Sequence, residues 1–304
     1  MLEIVDVAPR DGLQNAPRSF APAVRAELCE RLFAAGVRRI EAVSFVNSER
    51  VPQMAGAEEV IAALSDPVLA VAEGLVLNER GLERLLAADL RRARIAFGVS
   101  EPFNQRNAGV SAAEGLQATV RMIEQAHDAG IWAGACLATA LGCPFAGEVA
   151  PEVALEAGRR VAEAGADEVV FADTIGVAGP RDVRALVEPA MQWGVPIGIH
   201  LHNTRNTGYA NALAAVEAGA SVVDAAVGGL GGCPFAPGAT GNIATEDLVY
   251  LLDRDGIEHT AKLQALLEVA RWLADVTEFE LPGQLHRVPA FPPPAAEPAG
   301  ATSR

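Results

Sequence analysis

Gly198-Ile199-His200-Leu201-His202-Asn203-Thr204 reads as the end of a β-strand. Strand side chains alternate between faces, so His200 and His202 point the same way. A helical stretch, Thr207–Ala218, follows and is stopped by Gly219; the next apolar strand pattern starts at Val222. This strand–helix–glycine unit recurs along the whole chain, and its recurrence decides the fold. The strand candidates are Leu2–Val7, Arg39–Phe45, Leu69–Leu77, Ala93–Val99, Trp132–Ala138, Glu168–Ala172, Ile197–His202 and Val222–Val227. Helical stretches lie between and after them, at Ala21–Ala35, Ala55–Leu64, Glu79–Ala88, Ala112–Ala129, Pro151–Ala164, Arg181–Trp193, Thr207–Ala218 and Thr245–Arg254. Gly36, Gly130, Gly165 and Gly219 each follow an alanine at a helix end, where glycine can take the left-handed conformation that stops a helix.

Eight such β/α units predict an α/β fold of the (β/α)8 TIM-barrel kind. A doubly wound open sheet is the alternative. It is weakened by Ala8-Pro9-Arg10-Asp11-Gly12 after the first strand, which is no dinucleotide-binding turn. A further helix, Lys262–Val276, carries Leu263, Leu266, Leu267, Ala270, Leu273 and Ala274 at helical spacing. It should pack on the barrel or on a partner chain, which makes a homodimer the expected assembly. The domain is therefore expected over 1–280. From Leu281 the chain turns rich in proline and alanine, and 281–304 is expected to be an extended or disordered tail.

Net charge is −15, with 39 acidic against 24 basic residues. No basic patch stands out, which argues against nucleic acid as a partner. Lys262 is the only lysine and lies in a late helical stretch, which argues against a lysine Schiff base. No apolar run reaches the roughly 18 residues of a membrane span, so no membrane partner is expected. The strand pattern begins at Leu2, leaving no room for a leader segment, and the expected location is cytoplasmic. Cys29, Cys136, Cys143 and Cys233 fit no zinc-ribbon spacing and read as reduced thiols.

Active sites of such barrels lie at the carboxyl ends of the strands. Arg10 and Asp11 stand there after the first strand, Glu41 lies in the second, and Asp173 ends the sixth. His200 and His202 end the seventh, and Asn242 follows the eighth. In a closed barrel the eighth strand neighbours both the seventh and the first, so Asp11, His200, His202 and Asn242 converge. A lone His at a strand end is most often a satisfied polar residue; two on one face beside a carboxylate and an amide are a ligand set. With water or substrate oxygens they suit Mg²⁺ or Mn²⁺, and two His with a carboxylate could also hold non-haem Fe(II). Glu41 is a charge inside a strand, costly unless paired, with Arg10 as the obvious partner. The pair either orients the barrel rim or holds the Arg10 guanidinium for a substrate oxygen that gains negative charge. Gly228–Gly238 is glycine-rich and carries Cys233, as a simple turn or as a lid that delivers a proton. A second Gly-Cys-Pro-Phe-Ala string occurs at Gly142–Ala146; Cys233 is preferred because its loop adjoins the metal strands.

Several strings together resemble the 3-hydroxy-3-methylglutaryl-CoA lyase family of metal-dependent, aldolase-like barrels. They are Pro9-Arg10-Asp11-Gly12-Leu13-Gln14-Asn15, Glu41-Ala42-Val43-Ser44-Phe45-Val46, Val51-Pro52-Gln53-Met54, Ala140–Phe145, Asp173-Thr174-Ile175-Gly176-Val177, His200-x-His202, and Gly229–Pro234 leading to Gly241–Leu248. The resemblance runs to about Leu263, and it implies roles at the matching positions. Asp11, His200, His202 and Asn242 would hold the divalent cation. Arg10 would stabilise an enolate, Glu41 would support it, and Cys233 would serve acid/base chemistry. The implied reaction is metal-dependent retro-Claisen cleavage of 3-hydroxy-3-methylglutaryl-CoA to acetyl-CoA and acetoacetate, with Asp11, a histidine or a metal-bound hydroxide as the base. After His202 the chain departs from the family's Asp-Thr-Tyr-Gly pattern with Asn203-Thr204-Arg205-Asn206. Arg205 could bind a different acid group, so citramalyl-CoA or a longer 3-substituted 3-hydroxyglutaryl-CoA stays open as the acyl-CoA substrate. Asp173 is expected beside the substrate. A condensing synthase of the same superfamily is argued against by the Cys loop. A barrel that binds without turnover is argued against by the complete set of ligand, Arg and Cys positions.

Overall fold

The computed structural model describes residues 1–232, 240–289 and 291. Eight parallel strands close into a barrel in sequence order: β1 (Glu3–Asp6), β2 (Arg39–Ser44), β3 (Ala72–Val76), β4 (Arg92–Gly98), β5 (Trp132–Ala138), β6 (Glu168–Asp173), β7 (Ile197–Leu201) and β8 (Val222–Ala225). β8 pairs with β1 from Glu3 opposite Val222 to Asp6 opposite Ala225, and with β7 from Gly198 opposite Val222 to His200 opposite Asp224. The four glycines read as helix stops all sit at positive φ. At Gly36 a Cβ would meet the Thr260 carbonyl oxygen at 2.4 Å, so any other residue there displaces backbone.

Three pieces depart from the sequence reading. Leu69, read as the first residue of the third strand, instead ends a helical turn, Asp66–Leu69, with Pro67 in its first turn. Glu101–Ala108 is an additional helix after β4, hidden because few of its residues are apolar and no period shows. Ala8–Gly12, read as a loop, is a single π-helical turn in which the Gly12 N–H donates to the Val7 carbonyl at 3.1 Å. Such turns often serve functional sites.

Leu28, Leu32, Leu82, Leu85, Ile123 and Val161 bring the apolar faces of the helices onto the outside of the barrel. The inside is different. Barrels of this fold usually fill it with branched apolar side chains, whereas here it holds an ionic ladder. Arg39 bonds Glu168 at 2.6 Å and Glu73 at 2.8 Å, and Arg94 bonds Glu73 at 2.8 Å and lies 3.4 Å from both Glu168 and Asp224. All five are buried. Burial alone would raise the Glu73 pKa, but Arg39 and Arg94 hold it at about 2. The ladder stays charged, as buried ions do only when closely paired.

The helix Leu263–Thr277 buries Leu266, Ala270 and Leu273 against the helices Pro22–Ala34 and Thr245–Asp255. The apolar face that suggested a partner chain is therefore filled within this one. The tail also begins differently from the expectation. Leu281 is buried beneath Gly228, the Gly283 N–H donates to the Gly228 carbonyl, and the Asp247 carboxylate accepts from the Gln284 and Leu285 N–H groups. The rest of the expected disordered tail, 290 and 292–304, lies outside the described residues. Among the described residues no helix is long and apolar enough to cross a membrane.

Two buried carboxyls tie these parts together. Asp6 accepts from the Ala8 and Val227 N–H groups and from the Thr245 hydroxyl at 2.6 Å, joining the end of β1 to the segments after β8. Glu246 accepts from the Gly228 N–H, and its other oxygen faces His286 at 3.8 Å. Burial pushes Asp6 up to about 7 and Glu246 up to about 8. Unfolded carboxyls ionise near pH 4. The folded chain therefore holds extra protons between about pH 4 and 8. The stability these groups contribute is full below that window and is lost as pH rises through it. The melting temperature should fall by roughly 5–10 °C between about pH 5.5 and about pH 9, and Glu246→Gln should remove much of that fall. Scanning calorimetry of both proteins at the two pH values checks this; equal falls in both would refute it.

Candidate active site at the carboxyl ends of the strands

The π-helical turn after β1 is held at one end by the Asp6 carboxylate and leans at the other on the chain after β8, where a Cβ on Gly12 would sit 3.1 Å from the Leu230 Cβ. Fixed on both sides, it presents Arg10 and Asp11 over the barrel mouth. β7 carries His200 inside the strand and His202 just beyond it. There His202 pairs with Asn242 in an antiparallel bridge, flanked by the Asn203 N–H to Gly241 carbonyl bond at 2.8 Å and the Ile243 N–H to Leu201 carbonyl bond at 3.1 Å. Backbone pairing alone thus seats Asn242 beside the histidines.

Asp11, His200 and His202 each bring a ligand atom within 4.8 Å of the others, and all three are buried. His202 Nε2 lies 3.6 Å from Asp11 Oδ2, and the two imidazole centroids are 5.1 Å apart. The Asn242 Nδ2 donates to Asp11 Oδ2 at 2.8 Å and to the Leu230 carbonyl at 2.9 Å. Among the described residues its Oδ1 has no hydrogen-bond partner, nor do the two ring nitrogens of His202. Unsatisfied buried polar atoms are costly. One carboxylate and two imidazoles with ligand atoms this close fit a divalent cation by the chemistry of the donor set, and the Asn242 amide stands beside them.

Arg10 sits beside this cluster, its Nη1 donating to Asp11 Oδ1 at 2.8 Å and its Nε to Glu41 Oε1. Burial works against the Arg10 charge, but Glu41 and Asp11 outweigh it and raise its pKa above the ordinary value. Burial would likewise raise Asp11, but Arg10 and the histidines bring it well below the usual carboxylate range. Burial pushes Glu41 upward with Arg10 acting against it; the guanidinium charge is the firmer of the pair because two carboxyls face it. A cavity of about 710 Å³ opens over Arg10, Asp11, Glu41, His200 and His202 and extends outward past Asn47, Arg50, Phe103 and Arg106. Its volume is that of a small-molecule site.

Two of the expected residues are placed elsewhere. The buried Asp173 carboxylate accepts from the Val177 N–H at 2.9 Å and the Ala178 N–H at 3.0 Å, shaping the turn after β6, and does not line the cavity. Arg205 donates to the Ile175 and Gly176 carbonyls, so it latches the loop after β7 to the loop after β6. Among the described residues, Arg205 is not one that lines the cavity. Cys233 lies outside the described residues; its neighbour Gly232 lines the cavity and accepts from the Asn15 side chain at 2.8 Å. Cys143, in the second Cys-Pro-Phe string, is buried, and its sulfur takes bonds from the Ser100 hydroxyl and from the Phe145 and Ala146 N–H groups.

The sequence reading missed Asp224, whose Oδ2 lies 3.2 Å from His200 Nδ1, and Arg94 behind it. Their signal was the one that singled out Glu41, a charge inside an otherwise apolar strand. It also missed the outer wall built by the helix Glu101–Ala108, because that helix was unread.

The family model HMGL-like matches residues 1–273. The (R)-citramalyl-CoA lyase of Chloroflexus aurantiacus is 43% identical over 302 residues, 95% of either chain. The mitochondrial hydroxymethylglutaryl-CoA lyase of Homo sapiens is 37% identical over 275 residues, 90% of this chain and 84% of that one. Among solved structures, an HMG-CoA lyase of A. baumannii, in complex with coenzyme A and 3-methylmalate, superposes with a TM-score of 0.91 at 33% identity, covering 98% of either chain. A family match along most of the sequence, with relatives above 30% identity over nearly all of it, leads to one conclusion: the chain belongs to the HMGL-like family, that of the hydroxymethylglutaryl-CoA lyases.

Proposed function

We propose that the protein is a divalent-metal-dependent carbon–carbon lyase that cleaves 3-hydroxy-3-methylglutaryl-CoA to acetyl-CoA and acetoacetate. The observation that carries this reading is the meeting of Asp11, His200 and His202 beside a charged Arg10 in one large cavity, with Asn242 hydrogen-bonded to Asp11. Those four residues would hold Mg²⁺ or Mn²⁺, and such an ion, when bound, makes a coordinated hydroxyl more acidic. Arg10 supplies fixed N–H donors and positive charge for the oxygen that becomes an enolate as the bond between C2 and C3 breaks, a role that needs a guanidinium already oriented. Glu41 provides that orientation by holding the Arg10 Nε. Cys233, by its resemblance to the family's loop thiol, is assigned the proton transfer to the enolate carbon that completes acetyl-CoA.

A second reading is favoured by the higher identity to the Chloroflexus enzyme, 43% along almost the whole chain. Citramalyl-CoA is one methylene shorter, and the same bond cleavage would give acetyl-CoA and pyruvate. The residues around the bond would act alike on either substrate, so the choice rests on the wall facing the terminal carboxylate.

The test is acetyl-CoA release from each acyl-CoA after chelation and after adding back Mg²⁺ or Mn²⁺. Turnover that vanishes with the metal and returns with it is expected, and the co-product, acetoacetate or pyruvate, names the substrate. Metal-replete enzyme silent on both would sink the lyase reading for these substrates. Cys233→Ala should lower kcat by about 10²–10⁴-fold while Mn²⁺ binding, followed by EPR, is kept. Undiminished turnover would remove Cys233 from the chemistry.

A further inference from the structure

Among the described residues, His200 has a hydrogen-bonding side chain behind it and His202 does not. Parallel register places Asp224 of β8 directly beside His200 of β7, and Asp224 Oδ2 meets His200 Nδ1 at 3.2 Å. Asp224 is 2% exposed, and its Oδ2 also lies 3.4 Å from Arg94 Nη1. Arg94 cannot swing away, because Glu73 holds it at 2.8 Å and Glu168 lies 3.4 Å from it. A carboxylate is an acceptor only, so the nitrogen facing it must carry the proton. His202 has neither ring nitrogen bonded and is placed by its backbone bridge to Asn242.

We propose that Asp224, clamped by Arg94, is a positioning residue of the metal site: it fixes His200 as the Nδ1–H tautomer and turns the Nε2 lone pair toward Asp11 and His202. The role rests on the metal reading above but adds a residue to it. Carboxylates behind metal-bound histidines act this way generally, fixing the ring and raising its basicity, and their removal weakens metal binding by about 10–100-fold. The ionic ladder then serves the catalytic end: it holds Asp224, which holds His200. Asp224 lines the cavity floor beside that ring, and the role assigned to it acts through His200.

Mn²⁺ titration followed by the EPR signal of the free ion, on wild type, Asp224→Asn and Asp224→Glu, tests the role. Asp224→Asn should bind Mn²⁺ roughly 10–100-fold more weakly at an unchanged stoichiometry of one, and Asp224→Glu should recover part of the loss. Equal affinity in wild type and a folded Asp224→Asn overturns the positioning role while leaving the metal site standing. Failure of the wild type to bind Mn²⁺ overturns the metal reading, and this role with it. Should Asp224→Asn fail to fold, long-range ¹H–¹⁵N spectra of the metal-free wild type decide the matter, with His200 assigned by its absence from His200→Gln. A neutral His200 protonated at Nδ1 is expected; protonation at Nε2 refutes the proposal.

Discussion

Parallel pairing of β8 with β1 closes the sheet, and Asp11 and Asn242, 231 residues apart in sequence, become hydrogen-bonded neighbours because of it. In an open sheet the first and last strands would be distant edges, and the ligand set would be split between them. Closure is reinforced where it matters most: the Asp6 carboxylate bonds backbone on both sides of the seam. The antiparallel bridge between His202 and Asn242 then extends β7 past the barrel rim. The geometry of the site is thus set largely by main-chain hydrogen bonds, and side chains make the finer adjustments.

Buried ions are a costly way to fill a barrel, since desolvation can exceed the attraction gained and well-packed apolar groups often do as well or better. The ladder of Arg39, Glu73, Glu168, Arg94 and Asp224 is therefore hard to explain as a device for stability alone. What it offers is rigidity with direction. Each arginine bonds carboxylates from different strands, so neighbouring strands are locked in register from within the barrel as well as along its wall. Ordered dipoles and charges beneath a site are worth more than the same groups in water, because they need not reorganise when charge develops.

The barrel was legible because its rhythm is local: apolar strand, helix, glycine stop. The meeting of Asp11, His200, His202 and Asn242 was legible because closure follows from the strand count, and ends of adjacent strands must meet. The helix Glu101–Ala108 was not legible, because it is too polar to show a period. The π-helical turn was not, because a bond reaching five residues back leaves no compositional mark. The contacts of Arg205 were not legible for a different reason. The sequence puts it one loop from the histidines, but two carbonyls of the neighbouring loop capture its guanidinium, and no pattern within the chain announces such a tertiary bond. Asp224 was readable in principle, as a charge in a buried strand, yet its meaning depends on the register that sets it beside His200.

The ladder and the site above it form one column of formal charge. Arg10, Arg39 and Arg94 face Asp11, Glu41, Glu73, Glu168 and Asp224, all of them buried. The carboxylates outnumber the guanidiniums by two, and only those at the cavity, Asp11, Glu41 and Asp224, adjoin space that a solvent or ligand can enter. A doubly positive ion at the mouth would bring the column to neutrality, whereas a monovalent one would leave it in deficit. On the metal reading proposed above, a preference for ion charge would rest on the whole interior of the barrel, well beyond the atoms that would touch the metal.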